Sequence, residues 1–230
     1  KSIETVGLLP SPLIVNEKDE IIDGQGRRDA CAYLGLPVYY VVVPGAGLAE
    51  CISMNISGTK WSKLDYITSY AEQGNDSYVR LLDLIRKHDV SYSIVLIAAT
   101  GKLCVRNVIE EGKFALDEDQ KERADGLLDY LDRYVPFVKD KKIPNMNKIY
   151  EALCFLYYIE KVDNERMYRA FTMYYAELGG YSKTDQALAA LETVYNKNLS
   201  NQKKVFVTSE YKAYMTMQLP WYETRYGNKI

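Results

Sequence analysis

Histidine occurs once in this chain, at His88, and cysteine four times, at Cys31, Cys51, Cys104 and Cys154, never as a Cys-x-x-Cys pair. With no second histidine, no His-Glu-x-x-His run and no serine in a nucleophile-elbow setting, neither a zinc site nor a catalytic triad can be assembled from recognisable parts, and no metal site is expected. The cysteines are scattered inside apolar patterns, which points to buried thiols in a reducing, cytoplasmic setting rather than to a disulfide framework. Long hydrophobic runs are also missing. Tyr39 to Pro44 and Ile94 to Ala99 fall far short of the roughly 20 residues that cross a bilayer. No signal-peptide pattern opens the chain, so no membrane partner is expected. Lys1 is not a Met, and the sequence reads as starting partway into a longer polypeptide. A strong charge of one sign is lacking too: 29 basic residues face 31 acidic ones, and only Asn196 to Ile230 is basic, with 6 against 2. That balance neither provides nor excludes the positive footprint of a nucleic-acid binder, because a local patch can hide within it.

What is present is enough apolar material for a core. The 230 residues are 47% hydrophobic, sufficient for one large domain or two small ones. Short β-type runs come first: Pro12 to Asn16, Glu20 to Asp23, Val38 to Val43 and Glu50 to Asn55. Between the second and third, Arg27 to Leu34 has helical spacing and is closed by Gly35 and Pro37. The expected order is therefore β-β-α-β-β. Beyond it apolar residues recur every three or four positions, which marks amphipathic helices. Leu127, Leu128, Leu131, Tyr134 and Val135 form one stripe; Ile149, Tyr150, Leu153, Cys154, Leu156 and Tyr157 form a second; Leu188, Leu191, Val194 and Tyr195 form a third. Pro136 to Asn145, with two prolines and four charges, reads as a hinge or long loop. The fold class is α+β, with a small αβ domain over 1–58 and an all-helical domain over 59–230. Tyrosine is abundant, at 21 residues. Those rings suit either helix–helix interfaces with the hydroxyl at the rim or a stacking platform for single-stranded nucleic acid.

The segment "EIIDGQGRRDACAYLGLPVYYVVV", Glu20 to Val43, carries the chemistry. A glycine-rich turn entering a helix exposes backbone N–H groups that the helix cannot satisfy, and such a site attracts anions. Arg27 and Arg28 oppose the helix dipole in the first turn, where acidic groups are preferred. Their placement makes sense with a phosphate or carboxylate in the gap. The alternative is a tight turn whose arginines are solvated or paired with Asp23 or Asp29.

Asp23, Gly24, Arg27, Ala30, Leu34, Gly35 and Pro37 fall in register with a "DGxxRxxA" turn and a Leu-Gly-x-Pro exit. This segment resembles the ParB/sulfiredoxin-like (ParB N-terminal) domain. The resemblance implies a strand pair, a turn into a helix and a following strand. It also implies a phosphate-binding turn, part of a CTP site in ParB proteins and an ATP site in sulfiredoxins. On it, Gly24, Gln25, Gly26, Arg27, Arg28 and Asn55 hold a nucleotide or phosphate. The expected cofactor is CTP or another nucleoside triphosphate, with or without Mg2+. Two departures bear on catalysis. The family's Glu-Arg-Arg after the first glycine is Gln25, Gly26 and Arg27 here, and of its later Glu-Asn-x-x-Arg element only Asn55 remains.

The resemblance extends to Leu81–Gly101, where a helix, a turn at His88 to Ser91 and a second helix have helix-turn-helix spacing, within a unit near 78–101. Because "SYSIVLIAAT" is almost wholly apolar, the DNA-contact candidates reduce to Tyr92, Ser93, Lys102 and Arg106, and two core helices of a bundle fit the same spacing. Later stretches look like ParB-like proteins of phage and other mobile elements. The implied function is a DNA-associated partition or regulatory protein, with DNA and a second copy of itself as partners. The alternatives are a superfamily nuclease or nucleotide-dependent phosphotransferase, with Asp23 as the catalytic candidate, and an interaction module with a vestigial pocket. Lys197, Lys203 and Lys204 are further candidates for backbone contact.

Overall fold

Leu13 and Val15 point to one face of a short strand and Ile14 to the other, the period-two pattern of a strand covered on both sides. The computed structural model describes residues 11–55, 61–102, 106–143, 146–217 and 220. Strand β1 (Leu13–Val15) is central in a three-stranded mixed sheet, antiparallel to β2 (Ile21–Asp23) and parallel to β3 (Tyr40–Val42). The β1–β2 hairpin is organised by buried Asn16. Its Oδ1 accepts from the Lys18 and Glu20 N–H groups at 3.0 and 2.9 Å, and its Nδ2 donates to the Ala46 carbonyl at 3.2 Å. Helix α1 (Gln25–Leu34) follows β2 and ends at Gly35, whose φ of 65° closes the helix while Leu36 N–H returns to Cys31 O at 2.9 Å.

The strand expected at Glu50 to Asn55 is instead part of helix α2 (Leu48–Asn55). Leu48, Cys51, Ile52 and Asn55 have i, i+3, i+4 and i+7 spacing, and Glu50 in the first turn accepts the Gly47 N–H at 2.8 Å, the reciprocal half of a capping box. That bond comes first in holding the Glu50 carboxyl below its ordinary range. The chain divides into two compact units, 1–62 and 63–230. In the first, Ile22, Ala46 and Cys51 cluster with Ile14, Val43 and Trp61.

The second unit is helical: α3 (Lys63–Glu72), α4 (Asp76–Lys87), α5 (Tyr92–Thr100), α6 (Arg106–Glu110), α7 (Glu118–Asp132), α8 (Val135–Lys141), α9 (Asn147–Tyr157), α10 (Asn164–Met173), α11 (Thr184–Tyr195) and α12 (Thr208–Met217). Starts are set by side-chain caps: Asn75 accepts from Ser77 N–H, Asp117 forms a full capping box with Gln120, and Asp163 accepts from Glu165 and Arg166 N–H. The architecture is thus α+β, a small mixed sheet with two helices followed by a helical unit. The hinge expected from Pro136 is largely α8, because Pro136 lies in the first turn, where a missing N–H is tolerated; residues 144–145 lie outside the described residues.

The three apolar stripes are buried except at Tyr157, which is half-buried. Tyr130 and Tyr134 hydrogen-bond each other inside the core, and Tyr134 meets Tyr168 and Phe171 edge-on. The described tyrosines therefore serve mainly as helix–helix contacts. Cys31, Cys51 and Cys154 are free and buried, and burial pushes the Cys154 thiol far up; Cys104 lies outside the described residues. Among the described residues no helix is long and apolar enough to cross a membrane.

Candidate functional site

The turn between β2 and α1 is built on Gly24, whose φ of 101° and ψ of 18° let the chain leave the strand and enter the helix within one residue. Its carbonyl accepts from both the Arg27 and Arg28 N–H groups at 2.9 Å. No side chain caps the helix. The N–H groups of Gln25 and Gly26 find no acceptor among the described residues. Helix α1 begins two residues earlier than the sequence pattern places it, so Gln25, Gly26 and Arg27 form its first turn.

Arg27 does not extend into solvent. Its Nη2 donates to Asp23 Oδ2 at 2.6 Å and to the Pro12 carbonyl at 3.3 Å. The guanidinium then lies over Gly24, where a Cβ would meet Nη2 at 2.8 Å, and Nε is buried without a partner. Gln25 turns back and donates to Ile21 O at 3.1 Å, while Arg28 pairs with neighbouring Asp29 at 2.7 Å on the exposed side. Gly26 has open space where a Cβ would stand. The structure thus gathers Asp23, Gly24, Gly26 and Arg27 at one turn and directs Arg28 to Asp29. Asn55 ends α2, and its side chain lies outside the described residues. An anion at this turn would find two uncapped N–H groups, the positive end of a ten-residue helix and a guanidinium whose present counter-ion is Asp23.

The carboxylates a nuclease or phosphotransferase needs are separately engaged. Asp23 pairs with Arg27, Asp29 with Arg28, and Glu20 accepts from Asn16 Nδ2 at 2.6 Å.

The helix pair expected to read DNA is α4 and α5. Ile94 to Ala99 of α5 are all buried, because α4, α7 and α9 pack around it. Tyr92 is half-buried against the core, and the Ser93 hydroxyl is bonded to Ser91 Oγ at 2.9 Å. Lys102 follows the other end of the helix, about 13 Å away at 1.5 Å per residue. The Arg106 side chain lies outside the described residues. The run Ile94–Ala99 of α5 is thus enclosed in the manner of a core helix, and Tyr92, Ser93 and Lys102 lie at its two ends. Lys203 and Lys204 are exposed, whereas Lys197 pairs with Glu177 and lies 4.6 Å from the Tyr174 ring centroid.

His88, the C-cap of α4, is fully buried at its side chain and lies between aspartates of α7. Nε2 is 2.8 Å from Asp125 Oδ1 and Nδ1 is 2.7 Å from Asp132 Oδ2, with Asp129 Oδ1 at 4.0 Å. Lys87 Nζ donates to both Asp125 oxygens at 2.7 and 2.6 Å, and Asp89 N–H donates to Asp132 Oδ1 at 3.1 Å. Burial raises the Asp125 carboxyl, but the Lys87 and His88 hydrogen bonds outweigh it and leave the group below its ordinary value. No partner histidine flagged this cluster in the sequence. Its available signal was three aspartates at i, i+4 and i+7, which share one face of α7.

No protein-family model matches the chain. Searches of curated proteins and of solved structures likewise return no match.

Proposed function

We propose that the first unit binds a phosphate-bearing ligand, a nucleoside triphosphate of the CTP class, at the Gly24–Arg27 turn, and that the chain is a ParB-like DNA-associated protein. The observation that supports this most directly is the pairing of uncapped Gln25 and Gly26 N–H groups with a guanidinium whose Nε has no partner. Polar groups left this way gain from an anion that accepts from them. Because α5 is a core helix, DNA contact in this proposal falls to the phosphate backbone, through exposed cations such as Lys102, Lys203 and Lys204.

Titration of the full chain with CTP, ATP and GTP, with and without Mg2+, tests the pocket through ligand-induced stabilisation. Arg27→Ala is expected to abolish binding. Asp23→Asn is expected to tighten it, since the guanidinium is released from its internal counter-ion. One observation favours the second reading, a vestigial pocket: Asp23 already neutralises Arg27 at 2.6 Å. In that case no nucleotide binds at millimolar concentration to either the wild type or Asp23→Asn.

A further inference from the structure

The contact between the end of α4 and α7 carries chemistry independent of the turn. A neutral imidazole offers one N–H and one lone pair, and an ionised carboxylate only accepts. With the N–H on Nε2 and donated to Asp125 Oδ1 at 2.8 Å, the Nδ1 lone pair faces Asp132 Oδ2 at 2.7 Å and Asp129 Oδ1 at 4.0 Å. Three electron-pair donors converging on one point call for a positive centre among them, either a proton on Nδ1 or a metal ion. Metal-bound histidines characteristically give their second N–H to a carboxylate, which fixes the tautomer and ring orientation; Asp125 stands in that position.

We propose that His88 Nδ1, Asp129 and Asp132 hold a divalent transition-metal ion of the zinc class, with Asp125 orienting the imidazole. The three ligand atoms lie within 4.8 Å of one another. Bonds of about 2.0–2.2 Å to nitrogen and oxygen put tetrahedral ligand atoms about 3.4 Å apart, so the Asp129 oxygen must close in while Nδ1 and Asp132 Oδ2 open from 2.7 Å. Asp129, 62% exposed at its side chain, is free to make that movement. Asp129 and Asp132 are i and i+3 on α7, and so lie on one face. An imidazole in the set selects zinc-like ions over magnesium or calcium, which take oxygen ligands. Lys87, 3.6 Å from Asp129 and half-exposed, supplies positive charge to the aspartates in the metal-free state and withdraws from Asp129 when the ion enters. Three protein ligands leave a fourth position for water or a ligand from a partner.

The test is zinc titration of the chelator-treated full chain by calorimetry and melting temperature, with cobalt(II) as a spectroscopic substitute. One zinc per chain and a raised melting temperature are expected, together with a visible cobalt absorption from a site of low coordination number. Apart from the His88 ring, Asp129 faces the half-exposed Lys87 at 3.6 Å, a surface ion pair of small worth, so Asp129→Asn should change the metal-free melting temperature little. Its zinc affinity should fall on the order of tenfold or more and the cobalt band should vanish. Absence of zinc binding by the wild type, or equal affinity in Asp129→Asn, overturns the site and leaves His88 as a hydrogen-bonded clamp between two carboxylates.

Discussion

At Gly24 the backbone is left-handed, with φ at 101°, and an added Cβ would stand 2.5 Å from Leu13 Cδ2 as well as under the Arg27 guanidinium. Both strain and overlap act against any side chain there. Gly24→Ala is expected to destabilise the first unit by about 1–3 kcal/mol, read from urea unfolding. Gly26, two residues on, has neither constraint. In the ligand-free protein Gly26→Ala should stabilise by up to about 1 kcal/mol through helix propensity. The same methyl group would stand beside the N–H groups an incoming phosphate uses. The turn itself was legible because glycines between a short apolar run and a helical segment mark a tight turn. Pairing of Arg27 with Asp23 is one of the two readings the sequence offers; the reach of the same guanidinium to the Pro12 carbonyl is not, since that depends on β1 lying beside the turn.

Helices meet through particular side chains, and two such contacts have consequences that can be measured. Arg133, just beyond α7, grips Glu165 in the first turn of α10 and lies 4.5 Å from the Tyr168 ring centroid. The Arg133 hydrogen bond holds the Glu165 carboxyl below its ordinary value. A depressed carboxyl contributes stability above its unfolded value, about 4.3, and loses it as pH falls through the folded value. Glu165→Gln should therefore melt below the wild type at neutral pH, and the gap should shrink below about pH 4.3 and close on further acidification. Between α9 and α11, buried Thr184 donates to Glu151 Oε2 at 2.5 Å, and Lys148 donates to both Glu151 oxygens at 2.8 Å. Thr184→Val removes a donor to a buried charge and should cost about 1.5–3 kcal/mol in chemical denaturation. Periodicity made α7, α9 and α11 readable. It fails at α2, where six residues of mixed pattern suit a strand as well as a helix, although Glu50 three residues beyond Gly47 carries a capping signal.

Across the whole chain the two units differ in how much they bury. The second has a continuous core from Ile67 to Tyr211, with Tyr78, Leu127, Leu153, Phe155 and Phe171 essentially inaccessible. Among the described residues of the first, the buried apolar side chains are Leu13, Val15, Ile22, Cys31, Ala46 and Cys51. The hydrophobic period changes near residue 59 in the sequence, and the compact units divide at 62/63. The central place of α5 was not legible, since an apolar helix looks the same whichever neighbours surround it. Because stabilisation scales with apolar burial, the first unit should open at lower denaturant and temperature than the second. Helical circular dichroism, dominated by the second unit, would pass over that event. Trp61 packs against Ile22, Ala46 and Cys51, so in a Trp221→Phe background its fluorescence reports on the first unit. The fluorescence midpoint should precede the dichroism midpoint, and a nucleotide bound at the turn should move the first midpoint alone. Coincident midpoints would mean that the two units unfold as one cooperative body; a ligand shift confined to dichroism would place binding outside the turn.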